Sequence, residues 1–161
     1  MAILGLGSIV AVHAAPITFT DIYNPTDVYL SNSGTNTYTF THNILNEGFV
    51  PSLYNILNAD IYITMADDGD RASENVRISL DNLVVAHAMD VDSGAYHFTV
   101  NSTLLQDDGL LVVNLNVLSG DFYFQKSELD VTAEAVPEPG TLALTGMGLL
   151  GLGFAFRRKR V

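Results

Sequence analysis

The sequence of 161 residues contains no cysteine. It therefore has no disulfide framework, no thiolate nucleophile and no cysteine-ligated zinc site. A vertebrate secreted domain of this size would usually carry disulfides, whereas many exported bacterial domains have none. The compartment must therefore be inferred from other features, and the two ends of the chain supply them.

Basic side chains are scarce outside the last five residues. Residues 15–136 contain only Arg71, Arg77 and Lys126, and these three positive charges face seventeen negative ones, which leaves a net charge of −14. A surface of this sign repels phosphate backbones. We therefore expect no nucleic-acid partner.

The motifs of common catalytic sites are also missing. The chain has no Gly-x-Ser-x-Gly, no His-Glu-x-x-His and no P-loop, and His42, His87 and His97 are scattered along it. We therefore expect that the protein is not an enzyme. The alternative is a secreted glycan-active hydrolase, because acidic residues are numerous enough to supply the carboxylate pair that glycoside hydrolysis uses.

The first 14 residues, MAILGLGSIVAVHA, form an apolar stretch that ends in small residues. Val12 and Ala14 occupy the −3 and −1 positions of a signal-peptidase site, so we predict a signal peptide over 1–14 with cleavage after Ala14. No basic residue precedes the apolar stretch, although signal peptides usually have one there. The alternative is a buried first strand or helix.

The other end of the chain contains an uncharged run over residues 141–156. A helix of this length covers about 24 Å, somewhat less than the roughly 30 Å hydrocarbon core, and we predict a short transmembrane helix here. Four basic residues follow it and would hold the tail 157–161 in the cytoplasm. These residues are Arg157, Arg158, Lys159 and Arg160. The acidic domain would then face outward.

A Pro-Glu-Pro triplet, Pro137-Glu138-Pro139, stands just before this run. Two prolines keep the backbone extended, which is the shape that an endopeptidase binds. A Pro-Glu-Pro triplet, a short glycine-rich apolar helix and an arginine-rich end together resemble the PEP-CTERM sorting signal of exported proteins in Gram-negative, biofilm-forming bacteria. The resemblance covers residues 136–161.

The resemblance implies that a membrane-embedded exosortase recognises Pro137, Glu138 and Pro139 and cuts nearby. It also implies passage from the inner membrane to the cell surface or the extracellular matrix, in cells that produce exopolysaccharide. The alternative is a plain tail anchor with an incidental triplet.

The segment 15–132 alternates apolar and polar residues with a period of two, as in ADIYITM and VRISLD. The predicted strands are 16–22, 37–44, 59–65, 76–81, 82–88, 95–100, 110–117 and 121–132. Turns rich in Asp, Asn, Ser and Gly separate many of them. This spacing predicts an all-β fold, an antiparallel β-sandwich that is jelly-roll or immunoglobulin-like.

Three details accompany this prediction. The connection 44–58 is long and has room for one helical turn. The last strand changes phase between Phe124 and Leu129, which predicts a β-bulge. Residues 133–140 are predicted to be a linker that carries the Pro-Glu-Pro motif.

The most suggestive side-chain cluster lies in the loop DDGDRASE, which contains Asp67, Asp68, Asp70 and Glu74. Several hard oxygen ligands in one loop suit Ca²⁺, although the spacing is not that of an EF-hand. The alternative is a solvated turn whose acids Arg71 partly neutralises. No other cofactor is indicated.

Tyrosines beside Asn and Asp side chains resemble the stacking and hydrogen-bonding groups of carbohydrate-binding sandwiches. The tyrosines predicted to face solvent are Tyr23, Tyr29, Tyr38, Tyr54 and Tyr62. The plainer interpretation is that tyrosine suits strands and their edges. The sequence therefore predicts an exported cell-surface or biofilm-matrix protein with a structural or polysaccharide-binding ectodomain.

Overall fold

A computed structural model of the chain describes residues 15–70, 72–136 and 146–148. The described residues form nine β-strands, most of which follow an alternation of apolar and polar residues. They are β1 (Ile17–Tyr23), β2 (Val28–Ser31), β3 (Thr37–Asn43), β4 (Tyr54–Asp67), β5 (Asn75–Leu80), β6 (Leu83–Asp90), β7 (Gly94–Thr99), β8 (Leu110–Ser119) and β9 (Asp121–Ala135). All of them belong to one compact unit, Ala15–Ala135.

The strands form two antiparallel sheets. Sheet I has the order β1-β9-β4-β7, with β2 also paired to β9, and sheet II has the order β3-β8-β5-β6. The strand pairs are nested along the chain, as in one long hairpin that has β5 and β6 at its tip and is rolled up into two sheets. From the outermost to the innermost, the pairs are β1·β9, β3·β8, β4·β7 and β5·β6. This is the strand order of a jelly roll, so the structure selects the first of the two predicted sandwich types.

The core lies between the two sheets. Every second residue of β4 from Ala59 to Met65 is fully buried, as the alternation predicts, and so are Leu111, Val113 and Leu115 of β8. Each such side chain contributes about 1.5–3 kcal/mol by leaving water. The described residues of this core all belong to Ala15–Ala135, which is a compact unit of its own.

The segment between β3 and β4 is shorter than predicted. A 3₁₀ helix over Ile44–Glu47 supplies the expected helical turn, and Gly48 ends it with a φ of 94°. Strand β4 begins at Tyr54, so residues 54–58 are strand rather than connection. The sequence also gave no sign of β2, because four residues are too few to establish an alternation.

The predicted bulge in the last strand is present. Thr64 pairs with Lys126 whereas Met65 pairs with Phe124, so Gln125 is an extra residue in β9. The insertion lets Phe124 and Leu129 both point into the core although they are five residues apart.

Strand β9 continues to Ala135, and Ala133 is fully buried. Residues 133–135 are therefore strand, and the predicted linker 133–140 is wrong at its start. Alanine and acidic residues hid the alternation there, because small side chains weaken the apolar signal.

The predicted targeting segments fall mostly outside the described residues. This holds for the signal peptide 1–14, for Pro137, Glu138 and Pro139, and for the basic end 157–161. Of the predicted transmembrane helix 141–156, only residues 146–148 are described, and they are helical. Within the described part of the chain, no helix is both long and apolar enough to cross a membrane.

Candidate functional site

The predicted acidic loop connects β4 to β5 at one end of the sandwich. Asp67 is the last residue of β4, and Glu74 directly precedes β5. Asp67, Asp70 and Glu74 each bring a carboxylate oxygen within 4.8 Å of the other two. The loop turns at Gly69, whose φ is 90° and whose N–H donates to Asp67 Oδ1 at 3.0 Å. Three of the four predicted ligands therefore meet.

The fourth predicted ligand, Asp68, belongs to a second group. Asp68, Asp70 and Asp121 also place carboxylate oxygens within 4.8 Å of one another. Asp121 is the first residue of β9 and was not predicted as a ligand. It stands in a turn, Ser119-Gly120-Asp121, about fifty residues from the loop, and no local pattern signals that the two meet. We call these five carboxylates the acidic cluster.

Glu74 is the most unusual member of the acidic cluster. It is only 4% exposed, and its Oε1 atom has no hydrogen-bond partner among the described residues. Burial raises the pKa of the Glu74 carboxyl, and the negative charges of Asp67, Asp70 and Asp68 raise it further. A buried, unpartnered carboxylate is costly without a compensating charge.

A second site lies on the outer face of sheet I. Tyr62 of β4 and His97 of β7 are cross-strand partners, and their rings stack with centroids 4.8 Å apart and planes 22° from parallel. Tyr62 is 38% exposed, and the His97 side chain is exposed as well. The strand register places both side chains on the solvent side, so the pair forms an open aromatic platform.

Asp60 fixes the edge of this platform. Its Oδ1 atom accepts hydrogen bonds from His97 Nε2 at 2.8 Å and from Thr99 Oγ1 at 3.2 Å. The hydrogen bond from His97 lowers the pKa of Asp60 despite partial burial, and a bond from Asn58 lowers it further. The carboxylate therefore stays ionised and holds the His97 ring against Tyr62.

The five tyrosines that were predicted to face solvent do not behave alike. Tyr29 and Tyr62 are exposed. Tyr23 and Tyr38 are half-buried instead, with their hydroxyls 2.8 Å apart and their rings packed on Phe40. The hydrogen bond between the Tyr38 and Tyr23 hydroxyls raises the pKa of Tyr38 to about 12, and desolvation is the second cause.

Tyr54 is also half-buried, and it packs edge-on against Phe19 with ring centroids 5.2 Å apart. The prediction that these three tyrosines face solvent is therefore wrong. Their rings pack against the core, because a tyrosine near a strand end can bury its ring while its hydroxyl remains near the surface.

A Ser-His-Asp constellation was not anticipated from the sequence. His42 Nδ1 lies 2.6 Å from Asp21 Oδ2, and His42 Nε2 lies 2.8 Å from Ser127 Oγ. The connectivity matches that of acyl-transfer triads. However, His42 and Ser127 are both fully buried between the sheets, so a substrate carbonyl has no access to the serine. The three side chains act as a polar tie between β3 of sheet II and β1 and β9 of sheet I.

Comparison with known proteins identifies the tail. A family model described as "PEP-CTERM protein-sorting motif" matches residues 135–160. This match confirms the resemblance drawn from Pro137, Glu138 and Pro139 and the residues after them. The signal implies recognition by an exosortase, which is a membrane protein, and export to the cell surface.

Two solved structures align with this chain at low similarity. The crystal structure of dimeric latent PorU from Porphyromonas gingivalis aligns with a TM-score of 0.43 and 12% identity, over 81% of this chain and 14% of that chain. This chain therefore spans about one seventh of that protein. The native structure of a family 35 carbohydrate binding module from Clostridium thermocellum aligns with a TM-score of 0.35 and 16% identity, over 72% of this chain and 98% of the module. No curated protein matches the chain in sequence.

Proposed function

We propose that this chain is a cell-surface or biofilm-matrix protein whose jelly-roll domain binds a neutral exopolysaccharide on the outer face of sheet I. In this proposal the tail crosses the inner membrane at 141–156 during sorting, and an exosortase releases the domain beside Pro137-Glu138-Pro139. The observation that carries the binding proposal is the exposed stack of Tyr62 on His97, held by Asp60.

The surroundings of the stack suit a sugar chain. Two parallel rows of side chains cross β1, β9, β4 and β7 on this face. One row consists of Ile22, Glu128, Tyr62 and His97, and the other of Thr20, Asp130, Asp60 and Thr99. Four strands span about 15 Å, which is enough for more than one sugar ring. Aromatic rings can stack on the apolar faces of sugars while carboxylates and hydroxyls bond to their hydroxyl groups.

The charge of the domain supports a neutral polymer. Seventeen acidic residues stand against three basic ones between residues 15 and 136. On the proposed face, Lys126 Nζ is already paired with Glu128 at 3.3 Å. A polyanion would be repelled, whereas a neutral glycan would not.

The proposal treats the domain as a binding module without catalytic activity. One observation favours the alternative of a glycan hydrolase, because Asp60 and Asp130 are directly opposite each other on β4 and β9. Both carboxylates already accept hydrogen bonds, Asp130 from Thr20 at 2.6 Å. A hydrolase would release reducing ends from the bound polymer and lose that activity in Asp60→Asn, whereas a binding module would release none.

Affinity electrophoresis tests the binding proposal. The Ala15–Val136 domain should be retarded in a gel that contains the neutral exopolysaccharide of a PEP-CTERM-producing bacterium. Tyr62→Ala should lose most of the retardation, by about tenfold or more in affinity, because a stacked ring contributes roughly 1.5 kcal/mol. Tyr62→Phe should retain it, since the ring remains.

Tyr29→Ala is the matched control, because Tyr29 is an exposed tyrosine on the same face whose partner Tyr123 pairs with Ala66, four residues along β4 from Tyr62. It should leave the retardation unchanged if the Tyr62–His97 stack is the binding site. Equal retardation of the wild type and Tyr62→Ala, or none with either, would contradict binding at this face.

A further inference from the structure

The acidic cluster contains a buried carboxylate oxygen that is unpaired within the described part of the chain. Glu74 is 4% exposed, and Oε1 has no hydrogen-bond partner among the described residues. Its carboxylate oxygen lies within 4.8 Å of those of Asp67 and Asp70. A cation would stabilise an ionised carboxylate in this position, because Oε1 is buried and the neighbouring carboxylates are negative.

A second unpaired oxygen enters the cluster from the opposite turn. Asp121 Oδ1 is buried and has no hydrogen-bond partner within the described part of the chain. Its other oxygen, Oδ2, accepts from the Tyr29 hydroxyl at 2.7 Å, which fixes the orientation of the carboxylate. The acidic cluster therefore contains two orphaned oxygens, one in each of its two groups, and Asp70 is common to both groups.

No described basic side chain neutralises the cluster. The ion pairs among the described residues are His42–Asp21, His97–Asp60 and Lys126–Glu128, all away from it. Arg71 belongs to the loop but lies outside the described residues. The alternative to a bound cation is neutralisation of the cluster by the Arg71 guanidinium, which the Arg71→Gln variant tests.

We propose that the acidic cluster is a Ca²⁺ site in which Asp67, Asp70 and Glu74 bind the ion and Asp68 and Asp121 complete its surroundings. Two ligands at about 2.4 Å from one ion lie at most about 4.8 Å apart, and the carboxylate oxygens of both groups lie within this limit. The donors are all carboxylate oxygens, the set that a hard cation prefers, whereas zinc sites use histidine or cysteine.

Calcium would join two distant parts of the chain. Asp67 to Glu74 connect β4 to β5, and Asp121 begins β9. Gly120 allows the two turns to approach, since a Cβ at this position would stand 3.0 Å from Glu74 Cα. The ion would thus stabilise one end of the sandwich.

Calorimetry on the chelator-treated Ala15–Val136 domain tests the proposal with CaCl₂ as the only ligand. We expect binding with a Kd of about 10⁻⁴ to 10⁻³ M, as in extracellular calcium modules. The melting temperature should rise by roughly 5–10 °C at calcium concentrations near 100 times Kd. An equal concentration of MgCl₂ should give a much smaller shift, since Mg²⁺ demands octahedral geometry.

The Glu74→Gln variant distinguishes a role of Glu74 as a calcium ligand from a purely structural role. It should weaken calcium binding at least tenfold, yet leave the metal-free melting temperature equal to or above that of the wild type, because a buried negative charge is removed. Asp107→Asn removes one exposed charge elsewhere and should change neither quantity. Asp121→Asn provides the same test from the other turn, and it keeps the acceptor for Tyr29.

Two results would overturn the proposal. One is a wild-type domain that shows no binding heat and no thermal shift up to about 10 mM calcium. In that case a large drop in melting temperature in Arg71→Gln would identify Arg71 as the counter-ion of Glu74. The other is a calcium response that survives unchanged in both Glu74→Gln and Asp121→Asn.

Discussion

At the scale of single residues, the Asp21–His42–Ser127 tie shows how a polar group can be buried in this core. Burial lowers the pKa of His42, although the neighbouring Asp21 opposes the change, so the ring is neutral when folded. A neutral ring donates through Nδ1 to the acceptor-only carboxylate and accepts from the Ser127 hydroxyl through Nε2. Each ring nitrogen thereby has a partner, which burial requires.

The lowered pKa of His42 predicts a loss of stability in mild acid. Below the ordinary histidine pKa of about 6.5, the unfolded chain takes up a proton that the folded His42 does not. The free energy of unfolding should therefore fall as the pH decreases from about 6.5, by up to about 1.4 kcal/mol per pH unit, until the folded pKa is reached. Urea unfolding of the Ala15–Val136 domain between pH 7.5 and pH 5 measures this, in steps of about half a unit.

His42→Gln is the control, because glutamine does not titrate while it can still donate and accept hydrogen bonds. The other groups with shifted pKa values, such as Asp60 and Glu74, are common to both proteins. If the difference in unfolding free energy between the two proteins stays constant with pH, His42 does not have a lowered pKa in the folded domain.

At the scale of elements, β9 holds sheet I together. It pairs with β1 and β2 on one side and with β4 on the other. The extra residue Gln125 changes its phase in the middle, so that Phe122 and Phe124 before it and Leu129 after it all face the core. The bulge is therefore a requirement of packing in this strand.

Deletion of Gln125 should abolish cooperative folding. Without the extra residue one half of β9 presents its polar side to the core, because a shift of one residue reverses the faces of a strand. Exposure of even two phenylalanines costs about 3–6 kcal/mol, which is a large part of the whole stability of a domain. Urea unfolding followed by circular dichroism gives the measurement.

Gln125→Ala is the matched control, since it keeps the residue count and removes only a weak side-chain contact, the 3.4 Å bond from Nε2 to Asp27. We expect a change within about 1 kcal/mol for this variant. A deletion variant as stable as Gln125→Ala would show that the bulge is not needed.

The sequence predicted those elements whose signal is local. Alternation located β1 and β3 to β9, and it identified the buried face of β4 because large apolar residues occupy it. It could not reveal β2, whose stability comes from pairing with β9, or the final residues of β9, whose inward side chains are small. Local strand patterns carry no information about such long-range partners.

The residues of the candidate sites also differ in whether they are close in the sequence or are brought together only by the fold. Asp67, Asp70 and Glu74 share one loop, so their proximity follows from the chain, whereas Asp121 reaches them only through the fold. The stack of Tyr62 on His97 likewise depends on the register of β4 with β7. Sequence spacing alone could not distinguish these residues from the half-buried tyrosines.

At the scale of the whole domain, the two ends of the sandwich differ. Ile17 pairs with Ala133, so the start of β1 and the end of β9 lie side by side, and the tail begins from this end. The acidic cluster lies at the other end of β9, about 45 Å away along fifteen residues. The outer face of sheet I, with Tyr62, extends between the two ends and is not covered by any described strand.

The mass and location of the mature protein test the sorting function most directly. The comparison is between the wild type and a Pro137→Ala, Glu138→Ala, Pro139→Ala variant in a Gram-negative host that has an exosortase. We expect the wild type to lose residues 1–14 and the tail and to reach the cell surface or the medium, while the variant stays uncut in the inner membrane. If both proteins keep the tail and fractionate alike, the tail is a plain anchor and the proposed route to the matrix is wrong.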